Sequence, residues 1–142
     1  MAAKLMVVTG SREWPDDAEV EMTIDVEVPD LVLHGNARGA DRMAETAARR
    51  RGMATLPMPA DWKSHDPDWC RCDDPLTAKF CKQAGHRRNW DMVLKAKEVE
   101  AAGWDVVVHA FWFDGSRGTE NMVKSCIDAG LRVVVHRHER SS

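Results

Sequence analysis

The segment Lys4–Gly10, KLMVVTG, is a short apolar run that ends at a glycine. It is rich in β-branched residues and has no polar alternation, which is typical of a strand covered on both faces of a sheet. A helix start signal at Pro15 follows, with apolar residues at intervals of four: Val20, Ile24 and Val28. The order strand, loop, helix predicts the first unit of an α/β fold.

The same alternation continues along the chain. We predict further strands at 31–34, 53–58, 105–113 and 131–136, and further helices at 40–51, from about 86 to 102, and from GSRGT to near Gly130. Right-handed crossovers between parallel strands then give one Rossmann-like, doubly wound domain over residues 1–142. Its five-stranded parallel sheet has the expected order 3-2-1-4-5, with helices on both faces, and the polar tail HRHERSS is expected to fray.

Composition excludes several classes of protein. A chain of 142 residues has the size of one domain, and no stretch approaches the roughly 20 apolar residues of a membrane span. The net charge of −3 disfavours bulk electrostatic binding of nucleic acid. The amino terminus lacks a secretory pattern, so we expect a cytoplasmic protein with neither membrane nor nucleic acid as its main partner.

Three predicted strand ends combine glycine with arginine: Gly10-Ser11-Arg12, Gly35-Asn36-Ala37-Arg38-Gly39 and Gly115-Ser116-Arg117-Gly118-Thr119. Glycine allows close backbone approach, helix-start amides face an anion, and Arg donates in a fork that matches phosphate. Each loop taken alone also fits a simple turn with a solvated Arg. Neither a Walker A sequence nor G-x-G-x-x-G follows the first strand, so an ordinary ATPase or dinucleotide dehydrogenase is disfavoured.

Five motifs in order carry a resemblance to a known family: TGSREW, LHGNARGAD, MPADW, AGHRRNWDM and FDGSRGTENMV. They look like the YspA-like branch of the SLOG superfamily, and the match covers nearly the whole chain. That branch is related to the Lonely Guy phosphoribohydrolases, which remove a base from a nucleoside monophosphate, and more distantly to the DNA-processing protein A family. The resemblance implies a Rossmann-like nucleotide-binding fold.

The resemblance also implies positions for a ligand. It places the base or phosphate near Gly10, Ser11 and Arg12, with Gly35, Arg38, Gly39 and Asp41 beside them. It places phosphate in a cradle made by Gly115, Ser116, Gly118 and Thr119, with Arg117 in the same loop, and it turns Arg87, Arg88 and Asn89 toward the ligand. Asp61 and Trp62 are candidates to line the pocket, with Trp62 offering a face on which a base stacks.

Cleavage of an N-glycosidic bond, the reaction of the phosphoribohydrolases, would depend on a carboxylate. Met122 stands where the phosphoribohydrolase motif has its Glu, and a neutral thioether can neither activate water nor stabilise an oxocarbenium-like centre. The remaining catalytic candidates are Glu120, Asp41 and Arg88. Glu120 lies about 200° around a helix from position 122, and it also fits a first-turn acid that matches the helix dipole. Asp41 fits a cap or first-turn acid of its own helix.

An irregular segment at about 59–85 contains three prolines and three of the four cysteines. Cys70, Cys72, Cys81 and His86, with His65 as the alternative histidine, form a candidate tetrahedral zinc set, which would be structural because protein fills every position. The other interpretation is three unrelated reduced thiols. His136 and His138 are assigned to the polar tail. The core of the fold requires no cofactor.

Three hypotheses for function remain open. The first is a binding module or sensor for a nucleotide or nucleotide-derived phosphate ligand, and the second is a nucleotide N-glycosidase that uses Glu120 or Asp41. The third is single-strand nucleic-acid binding through Arg49–Arg51 and Arg87–Arg88, with tryptophans as stacking platforms. Six Trp and eight Met in so small a chain also suggest a homodimer through helix faces.

Overall fold

The computed structural model describes residues 2–139 of the chain. Strands and helices alternate along it, as five strands and four helices within that range. The strands are β1 (Lys4–Gly10), β2 (Leu31–His34), β3 (Ala54–Pro57), β4 (Asp105–Phe113) and β5 (Arg132–His138). The helices are α1 (Asp17–Glu27), α2 (Ala40–Arg50), α3 (Ala84–Ala101) and α4 (Arg117–Asp128).

The strands form one parallel sheet in the order β3-β2-β1-β4-β5. Strand β1 lies in the centre and pairs with β4 along its whole length, from Lys4 opposite Asp105 to Gly10 opposite Phe111. The chain leaves β1 toward β2 on one side and returns to β4 on the other. The strand order therefore switches between β1 and β4, and the α/β Rossmann-like fold and the strand order predicted from sequence are confirmed.

Alternate residues of β1 supply two cores. Leu5 and Val7 face α3 and α4, where Met92, Val93, Met122 and Cys126 complete a buried cluster. Met6 and Val8 face α1 and α2, where the cluster is completed by Val20, Ile24 and four alanines of α2. A strand alternates its side chains between the two faces of a sheet, so an uninterrupted apolar run is buried on both sides.

The carboxyl-terminal strand is longer than predicted. Assigning His136 and His138 to a frayed tail was wrong, because β5 continues through His138, which pairs with Phe113. The His136 ring stacks on Phe111 with centroids 4.4 Å apart, and its Nδ1 lies 2.9 Å from Glu19 Oε1. The partners of His136 lie in β4 and α1, far away in sequence, and they stabilise a strand end whose own sequence is polar. The end of the predicted tail, residues 140–142, lies outside the described residues.

Residues 58–83 between β3 and α3 consist of turns and irregular backbone. Helix α3 begins at Ala84, two residues before the predicted start, with Gln83 as an N-cap that makes no side-chain capping bond. None of the helices within residues 2–139 has the length and apolar character needed to cross a bilayer.

Candidate functional site

A cavity of about 400 Å³ opens at the carboxyl edge of the sheet, beside the switch between β1 and β4. Loops after β1, β2 and β4 and the start of α3 form its walls. Polar and charged side chains in its lining are Ser11, Arg12, Glu13, Asp41, Lys82, His86, Arg88, Asn89, Asp114, Ser116 and Thr119. The remaining lining includes glycines 10, 85, 115 and 118 together with Ala37, Trp62, Met92 and Phe113.

Ser11 ties the first loop to the end of β4. Its hydroxyl oxygen accepts the Phe113 N–H at 2.8 Å and lies 3.3 Å from the hydroxyl of Thr119 in α4. The side chain is buried and its backbone N–H donates to the Phe111 carbonyl at 2.9 Å. Ser11 therefore sets the distance between the two loops that form opposite sides of the cavity.

Two predicted ligand glycines serve backbone packing. A Cβ on Gly10 would lie 2.9 Å from the carbonyl oxygen of Phe111 and would also collide with Ala40. Gly39 has a φ of +91° and lies against the backbone of Ser11 and Arg12, at the N-cap of α2. At both glycines the loop after β1 lies in direct contact with the start of α2, and only a residue without a Cβ allows so close an approach.

Asp41 is a buried carboxylate in the wall of the cavity. Its Oδ2 accepts the N–H groups of Gly35 at 3.0 Å and Ala37 at 3.4 Å, while its buried Oδ1 has no hydrogen-bond partner among the described residues. Burial raises the pKa of the Asp41 carboxyl to about 6, against the opposing effects of the Arg88 charge and the two backbone donors. An orphan buried oxygen beside a cavity can receive a donor from a ligand.

Arg88 closes the same wall from α3. Its Nη1 donates to the Gly35 carbonyl, and its Nε donates to Asn89 Oδ1 at 3.1 Å. Burial lowers the pKa of Arg88, while the charge of Asp41 acts in the opposite direction. Since a guanidinium carries five N–H donors and these two bonds use two of them, Arg88 retains donors for an anion in the cavity.

The first turn of α4 forms the facing wall. Ser116 caps the helix, and its Oγ lies 3.4 Å from the Thr119 nitrogen and 2.8 Å from the Thr119 hydroxyl. A Cβ built on Gly118 would meet nothing within 4 Å, so its backbone borders open space. Asn89 holds the two helix starts together by donating from Nδ2 to the Gly118 carbonyl at 3.4 Å and to Asn121 Oδ1 at 3.2 Å.

The end of the irregular segment and the first turn of α3 supply cavity-lining residues that were not all predicted. Lys82, Gly85 and His86 line the cavity just before and within the first turn of α3, which carries no acidic residue. The Arg12 guanidinium lies 5.7 Å from the ring centroid of Trp62. Lys82 and Gly85 were missed because both precede the predicted helix start near residue 86, although the motif AGHRRN immediately follows Lys82-Gln83 and marks the start of the basic helix.

Seven predicted site residues lie outside the lining of this cavity: Gly35, Arg38, Gly39, Asp61, Arg87, Arg117 and Glu120. Arg38 borders a second, shallower depression with Asp17, Glu21 and Arg42. Arg87 pairs with Asp66 at 3.3 Å in the irregular segment, Arg117 is exposed, and Glu120 pairs with Lys124 at 3.4 Å. Position 122 faces the core instead of the cavity, because the Met122 side chain is fully buried between α4 and the sheet.

The arginines invoked for single-strand binding are largely paired with carboxylates. Arg49 lies 3.5 Å from Glu45, Arg50 lies 3.6 Å from Glu21, and Arg51 makes two bonds to Asp25 at 2.5 and 3.0 Å. These are surface pairs, and the Arg49 and Arg50 side chains remain 75% and 71% exposed.

The cysteine cluster gathers His65 and leaves out His86. The ligand atoms of His65, Cys70, Cys72 and Cys81 all lie within 4.8 Å of one another. His86 lines the cavity on the first turn of α3. The alternative histidine is thus the one that the fold places beside the thiols.

The fold and the position of the cavity define a Rossmann-like α/β protein with a polar cavity at the topological switch point. The family model described as "YspA, cpYpsA-related SLOG family" matches residues 5–65. Gene 61 protein of Mycobacterium phage D29 is 32% identical over 139 residues, which span 91% of this chain and 93% of that protein. The chain belongs to the YspA, cpYpsA-related SLOG family.

Solved structures align with this chain at low identity and with TM-scores below 0.5. DNA processing protein A of Streptococcus pneumoniae aligns with a TM-score of 0.46 and 19% identity, over 93% of this chain and 58% of that one. MurG of Acinetobacter baumannii aligns with a TM-score of 0.49 and 9% identity, over 95% of this chain and 35% of that one. Family membership supports a nucleotide-related or nucleic-acid-related role without singling out a ligand.

Proposed function

We propose that this protein binds a nucleotide or a nucleotide-derived phosphate ligand in the cavity between β1 and β4. The observation that carries the proposal is the convergence of two helix starts, of α3 and α4, with Arg88 on one cavity of about 400 Å³. Helix N-termini present free N–H groups and favour negative charge. Small-molecule sites have volumes of roughly 300–1,000 Å³, so one nucleotide fits a space of this size.

The phosphate is assigned to the start of α4. Gly118 leaves open space at the first turn, and the Ser116 and Thr119 hydroxyls lie beside it. Arg88 approaches from α3 on the opposite side and brings fixed donors that suit a phosphate oxygen. A carboxylate on α4 at this point would repel the ligand, and Glu120 lies outside the cavity lining.

The sugar or base is assigned to the side of Asp41 and Trp62. The free lone pairs of Asp41 Oδ1 suit a ribose hydroxyl or an exocyclic amine, since both are hydrogen-bond donors. Trp62 is 37% exposed at the cavity and offers a π face for a base. The two ends of a nucleotide therefore meet complementary chemistry on opposite walls.

Titration calorimetry with nucleoside mono-, di- and triphosphates and dinucleotides tests this proposal. We expect at least one ligand whose affinity falls in Gly118→Asp and survives in Gly118→Asn, a neutral side chain of the same shape. Native mass spectrometry of the freshly purified protein reports any ligand carried through purification, and it also tests the expected homodimer. Failure of the folded protein to bind any member of the panel would contradict the proposal.

An N-glycosidase is the second candidate, and one observation favours it. Asp41 is a carboxylate inside the cavity whose pKa of about 6 suits proton transfer near neutral pH. Chromatography of nucleoside monophosphates incubated with the protein checks for released base. Release that disappears in Asp41→Asn supports the enzyme, whereas binding without release supports the sensor.

A further inference from the structure

We infer that the irregular segment 58–83 is built around a structural zinc ion held by His65, Cys70, Cys72 and Cys81. The four ligand atoms come from three separate stretches of the segment and lie within 4.8 Å of one another. Three sulfurs and one imidazole nitrogen make a set that is typical of closed, four-coordinate zinc. Tetrahedral coordination requires ligand separations of roughly 3.3–3.8 Å, so the widest gap would close by about 1 Å.

The orientation of His65 fits a metal ligand. Its Nδ1 lies 3.3 Å from Cys70 Sγ, inside the cluster, while its Nε2 lies 3.1 Å from the carbonyl oxygen of Ala78. A carbonyl accepts only, so Nε2 carries the proton and Nδ1 presents its lone pair toward the thiols. Ligating histidines in metal sites are fixed by this kind of outer hydrogen bond.

Backbone donors support the sulfurs as well. The Lys82 N–H points at Cys72 Sγ at 3.5 Å, a bond that stabilises a thiolate. Cys81 is buried, and its own N–H donates to the carbonyl of Trp62 at 2.6 Å. All four cysteines of the chain are free of disulfides in this structure, which leaves the three thiols of the cluster available as ligands.

Apolar packing gives the middle of the segment little order. Leu76 is 96% and Phe80 60% exposed, so these two side chains contribute little to a core. Residues 58–83 contain no helix or strand. A metal that joins His65, near the start of the segment, to Cys81, three residues before α3, would close this loop and offset its conformational entropy.

Zinc at this position would have a consequence at the cavity. Trp62 lies between the cluster and the pocket, bonded through its carbonyl to Cys81 and packed with Cη2 3.1 Å from the position of a Cβ on Gly85. The metal would thereby hold the Trp62 ring beside Arg12. Only this consequence rests on the proposed function, since the metal site itself needs no nucleotide.

The test is the metal content of the reduced protein, purified without chelators from zinc-supplemented cells and compared by native and denaturing mass spectrometry. We expect one zinc ion per chain, lost in His65→Ala and in Cys70→Ala. The matched controls, His86→Ala and Cys126→Ala, should retain it. Gly118→Asp should also keep its zinc, which separates the fate of this inference from that of the nucleotide pocket.

A second readout covers variants that fail to fold. The chelator-treated wild type is titrated with Co²⁺, and we expect the intense visible absorption of a tetrahedral, thiolate-bound ion, displaced by equimolar Zn²⁺. A folded, reduced protein that takes up neither metal would overturn the inference. So would zinc retained equally in Cys70→Ala, or a native mass that shows Cys70, Cys72 or Cys81 in a disulfide.

Discussion

The guanidinium of Arg88 donates to the carbonyl oxygen of Gly35, whose N–H donates in turn to Asp41 Oδ2 at 3.0 Å. One glycine is thus held on both sides by a partly buried cation from α3 and a buried anion from α2. A Cβ on Gly35 would meet the Arg88 guanidinium, so a larger residue at this position would displace that side chain. This arrangement joins the loop after β2 to α3 on the far side of the sheet and supports the cavity wall that contains Asp41 and Arg88.

Removal of Arg88 should destabilise the protein. Arg88→Met leaves the Gly35 carbonyl unpaired and takes the nearest cation from Asp41, so we expect a loss of about 2–4 kcal/mol in urea unfolding. NMR titration of Asp41 should show its pKa rising further, because the Arg88 charge lowers it. The control is Arg87→Met on the same helix, whose partly exposed pair with Asp66 predicts a loss below about 1 kcal/mol. Equal losses in the two variants would argue against the Gly35 contact.

The stability of the ligand-free protein should depend on Asp41 in a predictable direction. Its folded-state pKa of about 6 lies above the ordinary aspartate value of 3.8, so the folded protein binds this proton more tightly than the unfolded chain does. The resulting stabilisation is fully present below about pH 4 and is lost as the pH rises through 6, by an amount on the order of 3 kcal/mol. Asp41→Asn should therefore gain stability relative to the wild type across this window. If the unfolding free energies of the two proteins changed with pH in parallel, that result would be evidence against a raised pKa of Asp41.

A carboxylate at Gly118 should abolish anion binding and leave the fold intact. The position borders open space, and an acid in the first turn of a helix interacts favourably with the helix dipole. We expect Gly118→Asp to melt at or above the wild-type temperature while its nucleotide affinity falls by more than about tenfold, or 1.4 kcal/mol. Gly118→Asn should lose less affinity than this. Calorimetry and thermal melts on both variants check the prediction, and unaltered affinity in Gly118→Asp would place the phosphate elsewhere.

The Trp62 ring should contribute to affinity through stacking. Trp62→Ala is expected to weaken nucleotide binding by about 1–3 kcal/mol, and Trp62→Phe should recover part of that loss. Trp90 provides a matched control, since it is 41% exposed on α3 and lies outside the cavity lining. Binding isotherms of the three variants measure the effect. Similar losses in Trp62→Ala and Trp90→Ala would indicate a general effect on the fold.

His136 should stabilise the fold through its tertiary contacts, which its polar neighbours in the sequence do not indicate. Its Nε2 lies 2.9 Å from His109 Nδ1 and its Nδ1 lies 2.9 Å from Glu19 Oε1, and its ring stacks on Phe111. His136→Ala should cost about 2–3 kcal/mol in chemical denaturation. The neighbouring change Arg137→Ala removes a half-exposed pair with Asp114 and should cost less than about 1 kcal/mol. If the two variants lost equal unfolding free energy, the residues of β5 beyond Val135 would contribute no more to stability than a frayed end does.

The sequence by itself determined the order of the elements and, through the handedness of crossovers, the sheet order. Apolar runs such as Lys4–Gly10 mark strands buried on both faces, and glycine and proline end the helices, because these are local preferences of the backbone. The same topology predicts a cavity at the carboxyl edge of the sheet. The loops at Ser11, Gly115 and Gly118, which line the observed cavity, were predicted in this way.

Only the tertiary structure decided which charged residues face that site. Arg88 and Asp41 line the cavity, whereas Arg87 and Glu120 lie outside it, since the direction of a side chain depends on the phase of its helix. Arg38 lies in the turn before α2 and borders a different depression. The choice of His65 over His86 beside the thiols, and the extension of β5 to His138, likewise depend on partners far away in sequence. Periodicity and spacing depend only on the neighbours of a residue along the chain. Contacts between distant segments form only when the packed core fixes where each segment lies.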